Sequence, residues 1–274
     1  MFKSSITIGK IFDIPIRIHV SFLIILPFLA WAFGNNIKYI TENSDINYSE
    51  LVLNPHFLGL LLAIGLFTSV LLHELSHSLV AKSKGIPINS ITLMLFGGVS
   101  SMEELTENPD DEARMAMAGP LLSIVLGIIL ILIYNYLSAA FIEDVKLLVL
   151  YLGQLHIFLA IFNLLPAFPS DGGRILRALL ASRTSFLQAT KIAVSVGKVF
   201  AFGFGLLGLI SGNFMLIFIG FFLYIGASQE YQYNHIKSAL AEMKVTDLMS
   251  RDVDTITEDM SVEKLIDKMY DKKH

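Results

Sequence analysis

Residues 73–77 read HELSH, the pattern H-E-x-x-H. On a helix, positions i and i+4 stack on one face, so the imidazoles of His73 and His77 can reach one metal ion. Glu74, beside the first imidazole, can take a proton from a water at that metal without being a ligand. In 274 residues with 7 His, chance gives roughly 0.008 such matches. Two His and a water leave zinc one protein ligand short of a catalytic site. The chain has no cysteine, so any metal must be held by His, Asp or Glu, and disulfides and Cys-based clusters are excluded. Asp171, in FNLLPAFPSDGGR over residues 162–174, is a candidate for the missing ligand.

The helix that carries HELSH continues an uncharged apolar run from Phe57. The composition is 54% hydrophobic and 16% charged, against about 25% charged in an ordinary soluble domain. The apolar residues fall in blocks long enough to cross a bilayer. The spacing predicts six spans: His19–Phe33, Phe57–Val80, Ala113–Leu137, Val145–Leu165, Ala189–Ile210 and Phe214–Ile225. The first of these resembles a signal peptide, with Ala30-Trp31-Ala32 as a cleavage site. The strand-like residues before it favour a retained helix.

Of the 20 Lys and Arg, only Lys38 and Lys146 fall in loops that six spans place outside. Both termini are therefore expected in the cytoplasm. His73 lies about 24 Å along its helix from Phe57, inside a hydrocarbon layer ~30 Å thick. An ionisable residue near the middle of a span costs about 2.5–3.5 kcal/mol. A bound metal compensates His73, Glu74 and His77 better than the bland alternative, a polar cap on a wet helix end. Spans two and four run in the same direction, so HELSH and Asp171 meet on the cytoplasmic side.

Residues 5–18 and 86–101 alternate as strands do, the second with a bend at Gly97-Gly98. The expected fold is an all-α polytopic membrane protein with small membrane-associated β-strands at the cytoplasmic face. Acids of the loop between spans two and three, Glu103 to Glu112, carry little weight for orientation. Arg174 and Arg177 are expected to mark the cytoplasmic boundary. From Val245 the sequence is soluble in character. The division expected is 1–238 for the membrane domain and 239–274 for a linker and tail.

HELSH in one span with NLLPAFPSDGGR in a later one resembles the site-2 protease family of intramembrane zinc metalloproteases. The resemblance covers residues 1–238. It implies one catalytic zinc ion held by His73, His77 and Asp171, with Glu74 as the base. It further implies that the strand near Gly97 and Gly98 helps to hold an extended substrate. Phe96-Gly97-Gly98 and Ala118-Gly119-Pro120 look like family motifs. Ser170 stands where relatives often have Met or Leu, and His156 where they often have Asn. The tail resembles the first half of a CBS module, which binds adenine nucleotides when complete, and stops early as a piece of a longer chain would.

Asn163, seven positions after His156 and on the same helix face, fits a role toward substrate or oxyanion; its bland alternative is a hydrogen bond within the bundle. His156 itself reads as a packed polar residue, and His19 and His56 as interfacial. The expected activity is hydrolysis of peptide bonds within or next to the transmembrane segment of a single-span membrane protein, at the cell membrane, with access from the cytoplasm. A divalent-cation transporter is a rival, but it needs no base at Glu74, and no inverted repeat is evident. An inactive relative that only binds partners is the other. Two His and a carboxylate usually hold zinc, while iron(II) or cobalt would also fit. The net charge of -4 gives no reason to expect a nucleic-acid partner.

Overall fold

Asn-Pro opens two of the long helices. Asn54 and Asn108 each accept a hydrogen bond from a backbone N–H of the first turn, and the proline that follows begins the helix. The computed structural model describes residues 5–95, 97–102, 108–137, 142–241, 243–249, 255–256 and 258–271. Its helices are α1 (Val20–Glu42), α2 (Pro55–Ser83), α3 (Pro109–Tyr136), α4 (Glu143–Asn163), α5 (Asp171–Ala181), α6 (Phe186–Ser211) and α7 (Phe214–Ala241). All but α5 are long and apolar enough to span a bilayer.

The bundle is held by close backbone approach, as expected where lipid removes the hydrophobic drive between helices. A side chain at Gly59 of α2 would meet the Ala30 carbonyl of α1 at 2.2 Å, and one at Gly127 of α3 would meet Ile157 of α4 at 2.7 Å. At the end away from HELSH, both carboxylate oxygens of Asp144 accept from the backbone N–H groups of Val52 and Leu53. Glu143 accepts from Asn47 N–H and from Lys146. The α1–α2 loop is thus tied to the start of α4.

A mixed four-stranded sheet has the order β1 (Ser5–Ile11), β2 (Ile14–His19), β3 (Ile88–Met94), β4 (Gly97–Met102). The outer pairs are antiparallel, and β2–β3 is parallel, with α1 and α2 as its crossover. Ile14, Ile16 and Ile91 pack on Leu75 of α2, with Leu71 and Leu79 beside them. Leu75 falls on the side of α2 opposite His73 and His77. One helix face anchors the sheet while the other carries the polar pair.

Both strand regions and all six spans form. Most span ends fall within a few residues of the expected ones, and three features differ further. Span one continues to Glu42 because Gly34 packs against His56, and Asn36 returns its side-chain N–H to the Ala32 carbonyl. Span six continues to Ala241, since residues after Ile225 are polar yet mostly good helix formers. The bend expected at Gly97-Gly98 comes earlier, at Leu95, and both glycines belong to β4. Gly97 has φ +124°, which only glycine adopts without strain. Phe96 and Glu103 to Glu107 lie outside the described residues.

The chain forms two compact units, Met1–Asn234 and His235–His274. The second contains α8 (Val245–Leu248) and α9 (Val262–Asp271). Part of the CBS-like stretch, residues 250–254 and 257, lies outside the described residues.

Candidate metal centre

The Nε2 atoms of His73 and His77 lie 3.1 Å from each other and 3.1 Å each from Oδ2 of Asp171. The α2 periodicity sets the two rings one turn apart, and Asp171 meets them as the first residue of α5. One ligand atom from each of the three residues falls within 4.8 Å of the other two. Both histidines are buried.

Their outer nitrogens are occupied by α3. Nδ1 of His77 is 2.6 Å from the Met115 carbonyl, which can only accept, so that nitrogen carries the proton and Nε2 keeps a lone pair. Nδ1 of His73 is 3.0 Å from the Ser123 hydroxyl. Between them Gly119 lies flat against both rings. A Cβ there would stand 2.2 Å from His77 Nε2 and 2.6 Å from His73 Nε2. Met115, Gly119 and Ser123 are spaced four apart, one face of α3.

Two imidazole nitrogens, their outer sides already bonded, converge with one carboxylate oxygen, a donor set that fits a zinc ion whose fourth ligand in catalytic sites is water. Asp171 adds a carboxylate oxygen to the two imidazole nitrogens, the anionic ligand that a dication favours.

Glu74 points from α2 toward β4. A Cβ on Gly98 would meet its Cγ at 2.5 Å, so only glycine lets the strand run this close. Among the described residues β4 pairs on one side only, with β3, and its other edge is open. Ser78 of α2 also meets Ser100 of β4 through their hydroxyls, at 2.9 Å. Gly97, Gly98, Glu74, His73 and His77 are therefore neighbours across one junction of strand and helix.

Asn163 ends α4, and its side-chain N–H donates to the Leu159 carbonyl at 2.9 Å, within its own helix. Ser170 donates to the carbonyls of Leu165 and Ala167, fixing the turn into α5. His156 is buried, and its Nδ1 has no partner among the described residues. His19 caps α1 by accepting from Ser21 N–H.

Arg177 does not stand exposed, as a snorkelling boundary residue would. It is 1% exposed, gripped by Glu112 of α3 and, at 2.6 Å, by Glu230 of α7, with its guanidinium over the rings of Phe168 and Phe186. The amphipathic α5 turns this residue inward. Glu112, counted with the loop acids in the sequence, belongs to the first turn of α3.

A model of peptidase family M50 matches residues 61–149 and 138–204. Zinc metalloprotease MJ0392 of Methanocaldococcus jannaschii is 38% identical over 270 residues, which are 98% of this chain and 73% of that protein. Stage IV sporulation protein FB of Bacillus subtilis is 27% identical over 207 residues, 68% of this chain and 69% of that protein. The solved structure of a site-2 protease from Methanocaldococcus jannaschii superposes with a TM-score of 0.58 at 35% identity, covering 93% of this chain and all of that one. The chain therefore belongs to peptidase family M50, as a multi-pass membrane zinc metalloprotease of the site-2 protease kind.

Proposed function

We propose that this protease cuts peptide bonds within or beside the transmembrane segments of membrane proteins. His73, His77 and Asp171 are assigned to zinc and Glu74 to acid–base chemistry. The observation that carries this reading is the meeting of three ligand atoms and a neighbouring carboxylate where spanning helix α2 faces the start of α5, next to the edge strand β4.

Zinc held there supplies Lewis acidity, making a water more acidic and polarising a carbonyl. Glu74 takes the proton of the attacking water and delivers it to the leaving amine. The substrate must arrive extended, because a helical peptide bond is shielded by its own hydrogen bonds. The open edge of β4 at Gly97 and Gly98 receives such a segment by strand addition. The side-chain oxygen of Asn163 is left for a substrate N–H while its amide stays on Leu159. The Lys and Arg distribution supports a cytoplasmic location for both termini and for access to the site.

The test uses purified protein in detergent with a single-span membrane protein. Wild type cuts within the hydrophobic segment, and a zinc chelator stops it. Glu74→Gln and Asp171→Asn do not cut. Stoichiometric zinc with no cleavage of any membrane substrate would overturn the reading in favour of transport or binding.

A further inference from the structure

Lys198 is the one charged residue over 192–211, most of the length of α6. It is 12 residues from Phe186 and 13 from Ser211, about 18 Å and about 20 Å along the helix. Its ammonium stands over the ring of Tyr224, 5.3 Å from the centroid. Tyr224 is ten residues, about 15 Å, from the start of α7. The charge is therefore held near half depth, farther from either surface than a lysine stem reaches. Among the described residues the lysines paired with a carboxylate are Lys82, Lys84 and Lys146, and Lys198 is not one of them. A lone cation at this depth is costly and calls for a partner.

Depth separates the partners available to it. A lipid phosphate lies at the surface, about half of a ~30 Å hydrocarbon layer away. A second copy of this chain has no acid to offer there. Among the described residues, the carboxylates beyond the end turns of the spanning helices are Glu74, beside the metal centre, and Glu230, bonded to Arg177 and Asn234. A spanning segment of another protein can carry a carboxylate at this level, and the function proposed above brings such segments here as substrates.

Lys198 closes one end of a groove of about 390 Å³ between α6 and α7, which runs from there to Leu209 and Ile217 at the α6–α7 turn. Its floor is a close helix crossing: a Cβ on Gly220 would meet the Ala201 carbonyl at 2.6 Å and Gly205 N at 2.9 Å. Phe202, Leu206 and Phe221 line it and are turned to the outside of the bundle. A small-residue floor with apolar walls lets another helix come close. The charged end leads to the metal centre. Gly197 packs on the backbone of Phe168, and Gly226 of α7 on Pro169. Phe168 is three residues before Asp171, at most about 11 Å. A helix seated with half its length in the groove therefore reaches the metal centre by unwinding about five residues past Lys198. Resting on the reading that the protein cuts spanning segments, we propose that Lys198 selects substrates by pairing with an Asp or Glu near the middle of the segment. The bond that is cut lies about five residues from that acid, and the half of the segment beyond it packs between α6 and α7.

The test uses a single-span membrane protein in detergent, with Asp placed at one position after another through its apolar segment and Asn at the same positions as the neutral control. Binding is read by fluorescence on the full chain carrying Glu74→Gln, and cleavage on the wild type. Asp near the middle is expected to bind about tenfold tighter than Asn and to lower KM by the same factor with kcat unchanged. Lys198→Gln loses that preference and still binds and cuts the Asn substrate as wild type does. Lys198→Glu reverses it, favouring Lys over Asp at that position by about tenfold. Gly205→Leu weakens binding of both substrates by filling the groove, and it folds because a Cβ at Gly205 meets nothing within 4 Å. Equal affinity for Asp and Asn at every position overturns the proposal. So does a preference that survives Lys198→Gln, or one that Lys198→Glu does not reverse, or unchanged binding in Gly205→Leu. The preference in binding with no cleavage by wild type sinks the protease reading and keeps Lys198 as a binding site for spanning segments. Cleavage without the preference keeps the protease and sinks the role of Lys198.

Discussion

Helix α5 carries two buried polar clusters, and they are built in opposite ways. At its first residue, Asp171 meets His73 and His77, with three ligand atoms directed at one another. Two turns later, Arg177 meets Glu112 and Glu230 and closes on them, one guanidinium filling the space between two carboxylates. The second cluster carries a cation of its own between the carboxylates, although Oε2 of Glu112 has no hydrogen-bond partner among the described residues. The first presents only lone pairs at its centre and is completed by a cation. Arg174, between them in sequence, is disfavoured as a cation by burial but held above its ordinary value by Asp171, Glu230 and Glu112. A buried charged cluster thus marks chemistry when its donors converge unfinished, and architecture when they close.

The sharpest way to break this contrast is at Glu74. Glu74→Gln lowers the cleavage rate by about 10²–10⁴ and leaves zinc stoichiometry at one, read by metal analysis of the purified protein. Loss of zinc together with activity would make Glu74 part of the metal cluster rather than its base. Gly119→Ala comes next. The added carbon intrudes at 2.2 Å on a ring nitrogen, so zinc affinity falls on the order of a hundredfold while the helical far-ultraviolet signal is kept. Unchanged affinity would mean that α3 does not define the position of the rings.

Arg177 tests the closed cluster. Arg177→Met leaves two carboxylates without their cation, and stability falls by about 3–5 kcal/mol, measured by titration with denaturing detergent. Adding Glu112→Gln recovers part of that loss, because one of the uncompensated charges is removed. The zinc affinity of the folded fraction stays within about threefold of wild type, a shift under about 0.7 kcal/mol. A large fall in zinc affinity without a fall in stability would reverse the roles of the two clusters.

The open cluster was legible in the sequence and the closed one was not, for a physical reason. HELSH declares itself by helical spacing within one turn, and Asp171 by lying at the end of a span that runs the same way. Arg177 has its partners 65 and 53 residues away, and no local pattern links them; as lone charges they read as boundary residues. The six spans were legible because apolar length is a local property. Their ends were not, because the Gly34 contact and the polar turns after Ile225 depend on packing and helix propensity beyond the apolar block. The α3 backing was half hidden. Gly119 stands out within Ala118-Gly119-Pro120, but Met115 contributes a carbonyl that any residue would supply, and Ser123 is an ordinary hydroxyl in an apolar helix.

Ser123 therefore gives the finest test of the open cluster. Its hydroxyl is 3.0 Å from Nδ1 of His73, as the Met115 carbonyl is 2.6 Å from Nδ1 of His77. The carbonyl is part of the helix backbone and cannot be removed by substitution, so the two histidines are backed with unequal security. Ser123→Ala removes one outer hydrogen bond and leaves the Gly119 contact and the fold in place. Zinc affinity falls about 10–100-fold, read by competition with a chelating dye, and the visible spectrum of the cobalt-substituted protein shifts as the His73 ring loses its fixed orientation. Ser123→Thr keeps the hydroxyl and retains most of the affinity. If Ser123→Ala binds zinc as wild type does, packing against Gly119 alone orients His73, and the asymmetry between the histidines has no energetic weight.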